Sequence, residues 1–365
     1  MPQDGSAQPY FFTSTEITGR EDWLRLHLNE NPYGPPPGTV EDVCAEASDH
    51  LNRYPDSECA AMRERLAEHF RVAPEMIALG NGTDELVLLA SLTFLRGTGG
   101  FVATTGGTFP GYVTSAAAVG ARTHTVPLTG AAIPVAGLTA AMRQGAALTF
   151  VCNPLNPTGA LLDRDEVHEL IDTAESTGTV LVFDEAYIDF AGPAHEFALE
   201  AVREGRRVLV TRTFSKAWGL ASVRAGFAVG PPDLIGQLNT TAMALPFNVN
   251  RQAQRAVRRA LDVPEYLDRV RADNARVREL LCKTLDSLGL GYFPSAANFV
   301  MAQVPGKGSE PGDSVRFAAR LAEEHHVLVR DLTALGLPGL LRISVGTEAE
   351  VERLAAALTQ LLGRP

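Results

Sequence analysis

Residues 207–229, RVLVTRTFSKAWGLASVRAGFAV, run from one apolar β-type stretch to another across a polar loop that carries Lys216. Apolar stretches that are continuous rather than alternating belong to strands covered on both faces, as in a parallel sheet between layers of helices. Working upstream, the same texture recurs in MIALG, GFVAT, RTHTV, ALTFVC and TVLVFD, separated by helix-like stretches such as DELVLLASLTFL and RDEVHELIDTAEST. Together with RVLVT and AGFAVG these make seven strand candidates. The alternation predicts an α/β fold whose main unit is a mostly parallel seven-stranded sheet flanked by helices.

Downstream of about residue 250 the texture changes. A single long helical pattern, RQAQRAVRRALDVPEYLDRVRADNARVRELLCKTLDSLG, leads into a smaller α/β C-terminal unit. Its strands are NFVMAQV, VLVR and LLRISV, and its helices lie around 314–325 and 347–362. The expected division is an N-terminal arm over 1–35, a large unit over 36–255 and a small one over 256–365.

Composition narrows the function classes. Of 365 residues 45% are hydrophobic and 21% charged, as in ordinary globular proteins, and the formal net charge is −11. No basic block is present, which argues against a nucleic-acid partner. No apolar run approaches the roughly 20 residues of a membrane helix. The stretch MPQDGSAQPYFFTSTEITG lacks the basic and apolar regions of a signal peptide, so a cytoplasmic protein is expected. Cys44, Cys59, Cys152 and Cys282 have no ligand spacing, and no metal is expected.

In open α/β sheets, ligands bind at the carboxyl ends of the strands. Lys216 lies beyond RVLVT, Asp184 closes TVLVFD with Tyr187 three residues on, and Asn156 follows ALTFVC in NPLNPTG. After MIALG comes GNGTDE, a glycine-containing turn opening a helix, where backbone N–H groups suit a phosphate. Singly, Asp184 could be a helix cap and GNGTDE a tight turn. Jointly they describe one ligand: a phosphate, an aldehyde for a lysine, a protonated ring nitrogen for a carboxylate and a phenolic oxygen for Asn or Tyr. Pyridoxal 5'-phosphate has all four, and Lys216 is read as its Schiff-base lysine.

With LHLNENPYGPP, NRYPD, GNGTDE, NPLNPTG, FDEAYIDF, TFSKAWGLASVRAG, PFNVN, ANF and LLRISVGTEAEVERL in this order, the chain resembles fold-type I pyridoxal-phosphate aminotransferases. Within them it is most similar to the histidinol-phosphate aminotransferase subgroup, over residues 24 to 362. The resemblance implies a large cofactor domain, a small domain built from both termini and a homodimer. It implies that Lys216 forms the imine and acts as base, that Asp184 pairs with the pyridinium, and that Tyr187 and Asn156 hold the phenolic oxygen. Gly82, Thr83, Asp84, Ser215 and Arg224 would cradle the phosphate, Tyr54 would reach the neighbouring subunit's phosphate, and Phe109 would stack on the ring. Arg342 and Arg330 would grip the substrate's anionic groups, and Tyr33 and Asn31 would line its entrance.

The implied reaction is transamination between histidinol phosphate, or an aromatic or other amino acid, and a 2-keto acid acceptor. The sequence departs from the usual pattern at His27, Gly107, Leu155, Trp218 and Ser222, which are expected around the substrate. His27 reads either as a satisfied loop histidine or as a substrate-side acid/base group. Arg330 reads either as the second anion clamp or as a surface ion pair with Asp331 or Glu324. The alternative outcome is an amino-acid oxidase, decarboxylase or lyase of the same fold. A non-catalytic sensor is not expected, because the acidic sequence shows no N-terminal helix-turn-helix segment of adequate length and keeps the full catalytic set, nor is a dinucleotide enzyme, because no G-x-G-x-x-G follows a strand.

Overall fold

A computed structural model describes residues 22–304 and 312–363. Most of the expected N-terminal arm, residues 1–21, lies outside them. The seven expected strands form one sheet: β2 (Ile77–Gly80), β3 (Phe101–Thr105), β4 (Arg122–Val126), β5 (Ala146–Cys152), β6 (Val180–Asp184), β7 (Leu209–Thr213) and β8 (Gly226–Val229). Their spatial order is β2-β8-β7-β6-β5-β3-β4. All neighbours run parallel except β8, which is antiparallel to both β2 and β7. Because β8 reverses twice, β2 points the same way as β3, β4, β5, β6 and β7. The carboxyl ends of all six therefore open on one edge.

The strands β5 to β8 are buried along almost their whole length, which explains their unbroken apolar runs. A separate sheet, ordered β1-β10-β11-β9, combines β9 (Phe299–Gln303), β10 (Val327–Asp331) and β11 (Leu340–Ser344) with β1 (Leu24–Leu26). Leu24–Leu26 pair in parallel with Val327–Val329, so the segment entering the chain joins the C-terminal sheet.

The expected single long helix after residue 250 is two. Arg251–Leu261 ends before Pro264, and Glu265–Ser287 begins after it. Proline has no N–H to donate and its ring clashes with the preceding turn, so it starts a helix rather than continuing one. The second helix belongs to both cores. Tyr266 and Val270 pack in the core around the large sheet, whereas Val277, Leu281 and Leu285 pack against the small one. The first helix buries Ala256, Val257, Ala260 and Leu261 in the large core. Core membership thus changes in the middle of Glu265–Ser287, later than the expected division at 255.

Candidate active site

A cavity of about 510 Å³ lies at the carboxyl edge of the large sheet, closed from the other side by β10, β11 and residues 27–29. Asp184 is the last residue of β6, and Lys216 follows β7 on a loop returning to β8. Lys216 Nζ donates to the Leu28 carbonyl at 2.9 Å. Burial, then the positive charge of Arg342, pushes its ammonium down to about 8, so a sizeable share of the amine is neutral near physiological pH.

Asp184 is 4% exposed. Its Oδ2 accepts from the Tyr112 hydroxyl at 2.6 Å and its Oδ1 from the Ala186 N–H at 3.3 Å. Burial pushes the carboxyl up to about 6, while the Tyr112 bond holds it down. A carboxylate at this depth is costly unless a cation meets it. Tyr187, also buried, accepts at its hydroxyl from Asn29 Nδ2 at 3.1 Å.

The helix Thr83–Phe94 presents its N-terminus to the same cavity, with Thr83 and Asp84 on the wall. Arg224, in left-handed backbone at φ +59°, donates to Ser215 Oγ at 3.3 Å and to Asp84 Oδ2 at 2.7 Å. Gly82 packs beneath it at φ +82°, and a Cβ there would come 2.5 Å from Arg224 Nη2. Only glycine allows the guanidinium this approach to the helix start. Phe109 stands on the wall, edge-on to Tyr112 at 5.3 Å.

On the opposite wall β10 and β11 set Arg330 directly across from Arg342 in register. Arg342 is 5% exposed, donating to Asn156 Oδ1 and the His27 carbonyl, each at 2.6 Å. Two guanidinium groups facing one cavity suit anions, because arginine stays charged when buried. Arg330 lines this cavity, Asp331 bonds Thr333, and Glu324 pairs with Arg320.

His27 is 1% exposed on the cavity wall. Burial, followed by Arg25, Arg342 and Arg330, lowers its imidazole to about 3. It is therefore held neutral near physiological pH.

Besides Gly82, which backs Arg224, three expected site residues do not line this cavity. Asn31 does not line the cavity, and its side chain is held by other partners. Its Nδ2 donates to the Ala217 carbonyl at 2.7 Å and to the Tyr266 hydroxyl at 2.9 Å, and its Oδ1 accepts from the Tyr33 N–H. It thereby fixes the loop that carries Lys216. Tyr33 lies with it at a small recess between Phe190 and Val270, outside the cavity. Tyr54 is 78% exposed and stacks on Phe247 at 4.7 Å, away from its own chain's cavity.

Of the departures expected around the substrate, His27 alone lines the cavity. Leu155 is fully buried, and Trp218 packs against Phe214 and Tyr266. Gly107 lies under the turn at Leu335–Leu337, and Ser222 lines a neighbouring recess. These changes repack the frame around the site. Sequence reasoning missed Asn29, Tyr112 and Cys152. The Phe109–Tyr112 spacing of one helical turn was the available signal for Tyr112. Cys152 touches the cavity, but burial pushes its thiol up to about 12, which leaves it unreactive.

The donor set fits pyridoxal phosphate: an amine of lowered pKa, a buried carboxylate short of a cation, and a glycine-backed Arg–Ser–helix cradle. The profile of the family "Aminotransferase class I and II" matches residues 21–358. The chain belongs to this family.

A histidinol-phosphate aminotransferase of Moorella thermoacetica is 34% identical over 94% of this chain and 86% of its own length. Histidinol-phosphate aminotransferase 2 of Ralstonia nicotianae is 36% identical over 93% of this chain and 89% of its own. The crystal structure of a histidinol-phosphate aminotransferase from Sinorhizobium meliloti, in complex with pyridoxal-5'-phosphate, superposes with a TM-score of 0.85 at 29% identity. That match covers 100% of this chain and 98% of the other. This aminotransferase has the expected α/β architecture and is a pyridoxal-phosphate-dependent enzyme. Among the described residues no helix is long and apolar enough to cross a membrane.

Proposed function

We propose that this aminotransferase moves an amino group between a doubly anionic or aromatic amine, histidinol phosphate foremost, and a 2-keto acid. The observation that carries this reading is the register pair Arg330–Arg342, two cations set across the cavity from Lys216. Its relatives named as histidinol-phosphate aminotransferases support the same substrate.

Lys216 would hold the cofactor, with Asp184 at its ring nitrogen, Tyr187 and Asn156 at its phenolic oxygen, Phe109 on its face, and Thr83, Asp84, Ser215 and Arg224 at its phosphate. Bound pyridoxal phosphate supplies the aldehyde that captures an amine and the electron-withdrawing ring that acidifies the α-hydrogen. Lys216 Nζ, once released, takes the α-proton and returns it, a task suited to an amine whose pKa lies near neutrality. Arg342 orients the substrate's anionic group with a planar two-point clamp, and its bond to Asn156 ties that clamp to the cofactor side. Neutral His27 lines the same cavity without adding charge.

We further propose a homodimer. The Tyr54–Phe247 stack is exposed, and Leu51, Met243 and Leu245 are exposed apolar neighbours in sequence, a surface suited to a second copy.

The test is mass analysis of products from the holoenzyme with histidinol phosphate and aromatic and basic amino acids, each with and without 2-oxoglutarate. Glutamate formed only when 2-oxoglutarate is present supports transamination, and the best amine names the substrate. Product formed in more than one equivalent per active site without any keto acid overturns it.

A further inference from the structure

Residues 27–31 run as a strap between the two sheets. The carbonyls of His27, Leu28 and Asn29 accept from Arg342, Lys216 and Asn298 respectively. Asn29 lies at the centre in left-handed backbone at φ +56°, a conformation asparagine tolerates. Its own N–H donates to Ser344 Oγ on β11 at 2.9 Å. The Ser344 hydroxyl, already accepting there, donates its single hydrogen to Asn29 Oδ1 at 2.8 Å.

These two bonds fix which way the carboxamide faces. With Oδ1 turned to Ser344, Nδ2 is turned to the Tyr187 hydroxyl at 3.1 Å. The opposite orientation would leave the Ser344 hydrogen without an acceptor among the described residues. Asn29, Ser344 and Tyr187 are all buried, at 1%, 3% and 5% exposure, so water cannot repair such a loss. An amide N–H can only donate. Tyr187 therefore accepts from Asn29, and its own hydrogen is directed away from the strap. Tyr187 also lines the cavity beside Asn156 and Lys216.

We propose that Asn29 and Ser344 are positioning residues that set this hydrogen-bond direction, so that Tyr187 acts as a donor into the cofactor cavity. The chain of donors runs from the Asn29 N–H through Ser344 Oγ to the Asn29 carboxamide, and from its Nδ2 to Tyr187. It spans both sheets, so the small sheet determines how a tyrosine of the large unit behaves toward the cofactor. The proposal rests on the reading of Tyr187 as a donor to the phenolic oxygen of pyridoxal phosphate.

The experiment is a pH titration of the visible absorbance of the bound cofactor, with cofactor affinity measured by reconstituting the cofactor-free enzyme. Asn29→Asp keeps the shape and the left-handed backbone but replaces the donor at Tyr187 with an acceptor, which would draw the Tyr187 hydrogen back to the strap. A phenolic oxygen that loses a donor holds a proton more tightly. Both Tyr187→Phe and Asn29→Asp are expected to raise the midpoint by about one pH unit and to weaken cofactor binding about tenfold. The double variant is expected to shift no further than Tyr187→Phe alone.

If Tyr187→Phe moves the midpoint and Asn29→Asp does not, the inference is overturned while the reading of Tyr187 stands. It is also overturned if Asn29→Asp adds its full shift on top of Tyr187→Phe, the signature of a merely structural role. If Tyr187→Phe leaves the midpoint in place, the underlying reading of Tyr187 fails, and the inference with it. Should Asn29→Asp not take up the cofactor, Ser344→Ala decides by the same criteria. It is expected to shift the midpoint in the same direction, and to do so only when Tyr187 is intact.

Discussion

Replacing Tyr112 by phenylalanine removes one oxygen from the interior and puts the state of Asp184 to a direct test. The Tyr112 ring is fully buried and stacked on Phe150 at 4.8 Å, so the phenylalanine ring keeps the packing. What disappears is the 2.6 Å bond to Asp184 Oδ2, the leading influence that holds the carboxyl down against burial. With the bond in place, burial has already moved this carboxyl from 3.8 to about 6. That rise corresponds to about 3 kcal/mol of preference for the protonated form over the unfolded chain. A hydrogen bond to a charged group is worth about 1.5–3 kcal/mol, so its loss lifts the carboxyl by a further one to two units, to roughly 7–8.

The sign follows from linkage. The folded carboxyl binds its proton more tightly than the unfolded one. The stability it contributes is therefore complete below about pH 4 and lost as pH rises through the folded pKa. In the parent that loss is over soon after pH 6; in Tyr112→Phe it continues to about pH 8. Urea denaturation of the cofactor-free enzyme at closely spaced pH values should show the difference between variant and parent growing by about 1.5–3 kcal/mol between pH 6 and 8. Glu185 and Asp189, raised by burial to about 7 and about 6, titrate in the same range. They are grouped around Arg212 rather than Tyr112 and cancel in the difference. Cofactor affinity should fall more at pH 6 than at pH 8, since only the ionised carboxylate pairs with a protonated ring nitrogen. A stability difference that stays constant from pH 5 to 8 would refute the reasoning.

Two further outcomes follow from the same geometry. Arg342→Gln removes the leading positive charge acting on Lys216, so the pH midpoint for reaction of the cofactor-free enzyme's amine with pyridoxal phosphate should move upward from about 8; an unchanged midpoint would mean that burial alone depresses it. Gly82→Ala puts a methyl where the Arg224 guanidinium lies and strains a backbone at φ +82°, so cofactor affinity measured by reconstitution should drop at least about tenfold while the secondary structure seen by circular dichroism is kept.

The chain's own order of residues determined the α/β architecture and the set of strand-end residues. Both are local properties: an unbroken apolar run such as VLVFD signals a strand covered on two faces, and the residue that closes it must lie at the sheet's edge. Lys216, Asp184, Asn156 and Thr83 converge because every strand leading to them points the same way. The break at Pro264 was equally local, and the long apolar periodicity on either side of it masked the signal. Tertiary structure alone decided the rest. Trp218 and Leu155 look like substrate-side changes in the sequence and are packing in the fold, while His27 looks titratable and is held neutral. Asn29 meets Tyr187 across 158 positions and Ser344 across 315, and Tyr112 meets Asp184 across 72. Desolvation and hydrogen-bond direction are set by atoms brought together from distant segments, and no periodicity along the chain encodes them.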